Sequence, residues 1–299
     1  MRSSRDKFKS MWEKELEAAV NLAYETGAKI LEYYALEIIA EEKLGADNFL
    51  EPVTAADREA SRMIVAGLTA QFPADGILSE EETDDIETRI SAPRSWIIDP
   101  IDGTKGFIHK NGDFGVQIGL AVEGAAVVGV VYLPAKDVLY YAARGGGAFA
   151  VKNGGRPERL RVSNKTDFGT MRLAVSSSHP SAKMKELVMG LGIRNVRQNG
   201  SVGLKVGLIA EQICDLYIHL SPRTKFWDNC APEVILRESG GMLTNLFGEP
   251  NVYNLADVQN HNGILATNGA SHEMVVKKIR PLLDKVGRLK ITSRSVKQT

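Results

Sequence analysis

Trp96-Ile97-Ile98-Asp99-Pro100-Ile101-Asp102-Gly103-Thr104 is the stretch on which the reading of this chain turns. Its bulky apolar start predicts a buried strand that ends at Asp99-Pro100. Carboxylates at a strand end lie where open α/β sheets keep their sites. Pro100 fixes one backbone dihedral and Gly103 permits a tight turn, so two aspartates three residues apart can address one point. Carboxylates that close repel each other unless a cation lies between them. An all-oxygen donor set suits Mg²⁺, which keeps some waters and takes a few carboxylates plus substrate phosphate. Taken alone, Asp-x-x-Asp-Gly-Thr is equally a turn with a helix cap, so the surroundings must decide.

Two more acidic segments bear on it. Glu80-Glu81-Glu82 follows a short strand, Ile77-Leu78-Ser79. A glutamate run is usually a solvated face, but its place after a strand predicts at least one inward carboxylate. Phe226-Trp227-Asp228 precedes an apolar helical pattern that Gly240-Gly241 terminates, and Asp228 reads as the N-cap of that helix. Thr54 and Asp57 have first-turn chemistry for a helix containing Ala60, Met63, Ile64 and Leu68.

Outward from these segments, residues 11–35 read as a helix and 45–52 as a polar loop. Val116–Val122, Ala126–Leu133 and a stretch near Val138–Ala142 read as an antiparallel meander. Beyond residue 165 the chain alternates strands (173–175, 215–219) with helices (183–190, 204–211, 232–239), which predicts a layered α/β arrangement. A soft boundary is expected near 160–168. It would leave an N-terminal α+β subdomain, 1–165, carrying most acidic site residues, and a C-terminal α/β subdomain, 166–299, carrying Asp228.

The 299 residues are 43% hydrophobic and 25% charged, with 37 basic and 37 acidic side chains. That balance offers nothing to nucleic acid or to an anionic membrane, while a local cluster can still handle a small charged substrate. The basic N-terminus has no apolar segment behind it, and the longest apolar stretch, 124–133, is too short for a bilayer. Cys214 and Cys230 form no CxxC pair and no disulfide scaffold, and reduced thiols fit a cytoplasmic protein. Cys230 reads as packing. None of the five histidines stands in metal-ligand spacing.

Together Ser79–Glu81 (SEE), Trp96–Thr104 (WIIDPIDGT), Trp227–Gly241 (WDNCAPEVILRESGG) and Val53–Asp57 (VTAAD) resemble, in order, the motifs of the inositol monophosphatase superfamily of Mg²⁺-dependent, lithium-sensitive phosphatases. The resemblance spans roughly residues 15 to 280. It implies an αβαβα sandwich of the inositol monophosphatase and fructose-1,6-bisphosphatase type, with two or three Mg²⁺ per site. By the same resemblance, Glu80, Asp99 and the Ile101 carbonyl would hold one metal, and Asp99, Asp102 and Asp228 a second. Thr104 and Asp57 would orient or deprotonate the attacking water, with Glu81 supporting it or binding a further metal. Backbone N–H groups of Gly103 and Thr104 would hold phosphate oxygens.

Lys105-Gly106-Phe107 stands where inositol monophosphatases usually have threonine-asparagine, and looks like the 3′(2′),5′-bisphosphate nucleotidase branch. Ser177-Ser178-His179, Ser201 and Lys205 resemble that branch's nucleotide-contacting segments, so Lys105, His179, Ser201 and Lys205 are expected to contact substrate. The chain departs from the branch at Val202-Gly203, usually a serine pair. It departs again at His219, usually an arginine, for which Arg223 or Lys225 would compensate, and in 41–50, which lacks the usual lysine-aspartate-glycine-serine run. The expected substrate is adenosine 3′,5′-bisphosphate, the alternative an inositol or sugar phosphate. A non-catalytic nucleotide-binding homologue is the reading from another class. A homodimer would fit the family.

Overall fold

A computed structural model describes residues 11–44, 49–177 and 181–292. Its seven-stranded sheet runs in the order β3 (Gly76–Ser79), β4 (Arg94–Asp102), β5 (Gly115–Val122), β6 (Ala125–Leu133), β7 (Val138–Ala143), β8 (Gly147–Lys152), β9 (Glu158–Arg159). Only β3–β4 is parallel; from β4 onward neighbours are antiparallel. A five-stranded mixed sheet has the order β11 (Asn195–Asn199), β10 (Arg172–Ser176), β12 (Leu216–His219), β14 (Ile264–Thr267), β13 (Met242–Thr244).

Helices fill three layers around these sheets. On one face of the larger sheet, α1 (Glu13–Ala35) and α2 (Ala55–Gln71) bury Ile30, Ile64 and Leu68 against Ile98, Ile118 and Leu120. On its other face lie α6 (Val202–Ala210) and α7 (Phe226–Glu238), packed also against Ala174, Tyr217 and Ala266 of the smaller sheet. The outer face of that sheet is covered by α5 (Ala182–Leu191) and α8 (His272–Lys285) through Leu187, Ile279 and Leu283. Counted through, the order is the five-layer αβαβα sandwich. Strands buried on both faces need apolar side chains at successive positions, which is why β6 reads Val-Val-Gly-Val-Val rather than alternating.

The middle helix layer lies unusually close to the larger sheet. A Cβ on Gly129 would sit 2.2 Å from the Ala231 carbonyl oxygen, and one on Gly119 would sit 2.7 Å from Cys230 Sγ. Cys230 is thus a packing residue, its buried thiol pushed well above the ordinary value. This approach lowers the start of α7 onto the β4 strand end.

Two sequence expectations change. The loop expected over 45–52 gives way in its last residues to β2 (Leu50–Thr54), which pairs antiparallel with β1 (Ala40–Leu44). Charged strands such as Ala-Glu-Glu-Lys-Leu carry no apolar alternation, so periodicity does not reveal them. Second, Asp228 is not the N-cap of α7: Lys225 is, and Asp228 is the third helical residue. The helix starts earlier because the Asp228 side chain folds back to accept the Lys225 N–H, the geometry of an acidic residue closing a capping box.

Because the obstacle at Gly129 is backbone, Gly129→Ala should destabilise the fold by about 2 kcal/mol or more. Urea unfolding measures this, and a loss under about 0.5 kcal/mol would show that α7 can move away.

Candidate active site

Helix starts converge on the end of β4. At that end the β4–β5 register shifts between Asp99 and Asp102, where Pro100 cannot donate to the ladder. Gly103 follows at φ +94° as the N-cap of the short helix α4 (Thr104–Ile108). A Cβ there would lie 2.6 Å from the Asp113 carbonyl, so glycine is required twice over.

Ligand oxygens of Asp99, Asp102 and Asp228 lie within 4.8 Å of one another. Each carboxylate is set by a different element. Asp102 is gripped by the start of α6: Ser201 Oγ donates to Oδ2 at 2.5 Å, Gly203 N–H to Oδ2 at 2.7 Å and Val202 N–H to Oδ1 at 3.0 Å. Ser201 holds this pose at φ +46°, a strained value for a non-glycine residue. Asp228 is fixed by the Lys225 N–H at 2.7 Å. Asp99 is buried, and its Oδ1 has no hydrogen-bond partner among the described residues.

A buried, unpartnered carboxylate oxygen beside two more carboxylates is a costly arrangement without a cation. Burial, then the neighbouring acids, push Asp99 well above the ordinary carboxylate range and Asp228 up to about 8. The carboxamides of Gln117, opposite Asp99 in the register, and of Asn229, next to Asp228, are likewise buried without partners among the described residues. Hard oxygen donors, one of them buried without a partner, fit a divalent cation that keeps part of its hydration.

Asp57 is the third residue of α2 and closes a capping box. Its Oδ2 accepts the Thr54 N–H at 2.8 Å and the Thr54 hydroxyl at 2.5 Å. The other oxygen, Oδ1, lies 3.3 Å from Thr104 Oγ1, which is also 3.3 Å from the Ile101 carbonyl oxygen. Burial raises Asp57 to about 6 despite the Thr54 bonds.

The glutamate run is not a uniform solvated face. Lys43 of β1 bonds to Glu80 Oε1 at 3.1 Å and more closely to Glu81, while the exposed Glu82 accepts from Ser61. Burial raises both Glu80 and Glu81, and Lys43 opposes this. Lys43 was not expected at the site, because nothing in the charged β1 sequence marks its side chain as inward. The hairpin also reaches the second half of the chain: Lys225 Nζ meets Glu51 at 2.5 Å, and the Arg223 guanidinium lies 3.6 Å from the Phe49 ring centroid.

The expected substrate contacts fall out differently. Lys105 is exposed on the first turn of α4. Lys205 is buried, lowered by burial to about 8, and donates to the carbonyls of Gly200 at 2.9 Å and Ser201 at 2.6 Å. His179 lies outside the described residues. His219 has its Nδ1 3.0 Å from the Tyr217 hydroxyl, and burial with Lys205 and Arg288 lowers it to about 3, so it is neutral.

The sequence profile of the inositol monophosphatase family matches residues 11–283. The chain belongs to the inositol monophosphatase family. Within it, the CysQ 3′(2′),5′-bisphosphate nucleotidase of Escherichia coli K12 is 35% identical over 239 residues, 79% of this chain and 92% of that protein. The histidinol-phosphatase of Mycobacterium tuberculosis is 36% identical over 235 residues, 77% of this chain and 85% of that one. Among solved structures, CysQ from Bacteroides thetaiotaomicron superposes with a TM-score of 0.72 at 31% identity, covering 86% of this chain and 98% of its own. Thermotoga maritima IMPase gives 0.76 at 28%, covering 92% and 100%. This family member is a phosphoric monoester hydrolase. No helix among its described residues is long and apolar enough to cross a membrane.

The raised carboxylates fix the sign of a pH effect. In metal-free protein Asp57 and Asp228 bind protons more tightly folded than unfolded. Their stabilisation is complete below the unfolded value of 3.8 and is lost as pH rises through about 6 and about 8. In chelator the melting temperature should therefore fall from about pH 7 to about 8, a window above the midpoint of unfolded histidine titration near 6.5. Asp228→Asn should flatten the slope, and a wild-type melting temperature rising across that window would contradict the assignment.

Proposed function

We propose that this chain is a Mg²⁺-dependent phosphatase that removes the 3′-phosphate of adenosine 3′,5′-bisphosphate, giving AMP and phosphate. The observation that carries the chemistry is the convergence of Asp99, Asp102 and Asp228 on one point with an orphaned Asp99 oxygen. The likeness to CysQ nucleotidases, with Lys105-Gly106-Phe107 after the aspartates, carries the substrate.

Glu80, Asp99 and the Ile101 carbonyl would hold one ion, and Asp99, Asp102 and Asp228 a second. Bound there, Mg²⁺ supplies a water of lowered pKa and neutralises charge on the phosphate oxygens. The chain does the rest. Gly103 and Thr104 present their N–H groups to the phosphate oxygens. The Thr104 hydroxyl orients the attacking water, and Asp57, raised toward neutrality, takes its proton through Thr104. Glu81 supports that water or a further ion. Water oxygen bonds to phosphorus as the ester P–O bond breaks, and the leaving oxygen is protonated to the alcohol, with no covalent enzyme intermediate. Lys105, His179, Ser201 and Lys205 are the proposed substrate contacts, the last two acting through the 200–203 backbone they brace.

One observation favours a second reading, an inositol, sugar or other small phosphate ester. The neutral, half-buried His219 offers no charge where the nucleotidase branch has arginine. In the nucleotide reading the second phosphate falls to Arg223 or Lys225.

Phosphate release with Mg²⁺ from adenosine 3′,5′-bisphosphate, inositol-1-phosphate and histidinol phosphate at equal concentration separates these readings. The nucleotide should be preferred; a preference for either of the others would overturn the assignment. In Asp102→Asn, kcat should fall roughly a thousandfold with the circular dichroism spectrum unchanged. Near-normal turnover in that variant would remove Asp102 from the metal site.

A further inference from the structure

The Lys43 ammonium occupies a telling place. It sits between two adjacent carboxylates, Glu80 and Glu81, with only 20% of its own side chain exposed and 5% of that of Glu81. It enters from outside the sandwich, on β1 of the hairpin that Glu41–Arg58 at 2.6 Å and Glu51–Lys225 at 2.5 Å tie down on both sides. Glu80 Oε1, which accepts from this ammonium, belongs to the carboxylate proposed to hold the first metal.

We propose that Lys43 is a tethered counter-cation of the site, holding Glu80 and Glu81 until a divalent cation displaces it, and thereby sets the site's metal affinity. The reasoning is competition for the same oxygens. An ammonium donates to a carboxylate along its lone pairs, the directions a metal uses. Like charges at that separation repel, so the ammonium contact and the metal–Glu80 bond oppose each other. Two binding events that oppose each other weaken one another equally, by linkage. The device also keeps adjacent buried glutamates from being unpaired in metal-free protein, a state that costs more than the pair itself contributes. The inference rests on Glu80 as a metal ligand and is independent of which ester is hydrolysed.

Two measurements test it, neither using turnover. First, trace acetylation of wild-type protein, read by mass spectrometry, should show Lys43 protected in chelator and more reactive at saturating Mg²⁺. Second, calorimetric titration should show Mg²⁺ binding to Lys43→Met tighter by roughly tenfold, while Lys43→Arg stays within about twofold of wild type. Lys43 reactivity that is unchanged or reduced by Mg²⁺, or unchanged or weaker binding by Lys43→Met, would overturn the proposal. Absence of Mg²⁺ binding to wild type would overturn the metal assignment together with it, whereas loss of nucleotide preference would leave it standing.

Discussion

Mutual repulsion of carboxylates in a dry place is the constraint around which this molecule is built. Asp99, Asp102 and Asp228 converge within 4.8 Å, with Glu80 and Asp57 near enough to raise Asp99 further. Hydrophobic burial cannot offset such a cluster, and a packed interior leaves little room to relax it. The fold answers with oriented dipoles. Asp57 and Asp228 are each the third residue of a helix and bond back to its first N–H groups, and Asp102 caps α6 from outside. Helix N-termini carry partial positive charge, so these placements favour the ionised form. Lys43 does the same for Glu80 and Glu81. Asp99 keeps a buried carboxylate oxygen with no hydrogen-bond partner among the described residues, and that is where a cation gains most.

The same layout explains why an αβαβα sandwich serves this chemistry. The end of β4 delivers Asp99 and Asp102, and the register shift at Pro100 turns the chain out of the sheet toward α4. The middle helix layer then lowers α6 and α7 onto that strand end, and the glycines at 119 and 129 permit the approach. Ser201 is strained there, at φ +46° with ψ 131°. A backbone held in that state indicates that the grip on Asp102 is over-determined by its surroundings.

Much of this was legible in the sequence because the elements concerned announce themselves locally. The β4 strand, the aspartates at its end, the Thr54–Asp57 capping chemistry and the apolar meander all follow from short-range patterns. The exact start of α7 was not, because Asp228 suits an N-cap and a third helical position equally; only the Lys225 N–H decides between them. Lys43 was hidden for another reason. A charged strand has no apolar rhythm, and its partners, Glu80 and Glu81, lie 37 and 38 residues away. The polar edge strand β11, Asn-Val-Arg-Gln-Asn, escaped notice on the same ground. Ser201 and Lys205, expected to contact substrate, make their visible contacts to Asp102 and to backbone carbonyls.

The central claim is that the buried acidic cluster is held at a cost that a divalent cation removes. Thermal unfolding of wild type and Asp99→Asn, in chelator and across a Mg²⁺ titration, tests it most directly. The account predicts that the neutral, nearly isosteric asparagine melts higher than wild type in chelator, and that only wild type is stabilised by Mg²⁺. A wild type indifferent to Mg²⁺, or an asparagine variant that melts lower in chelator and still responds to the ion, would contradict it.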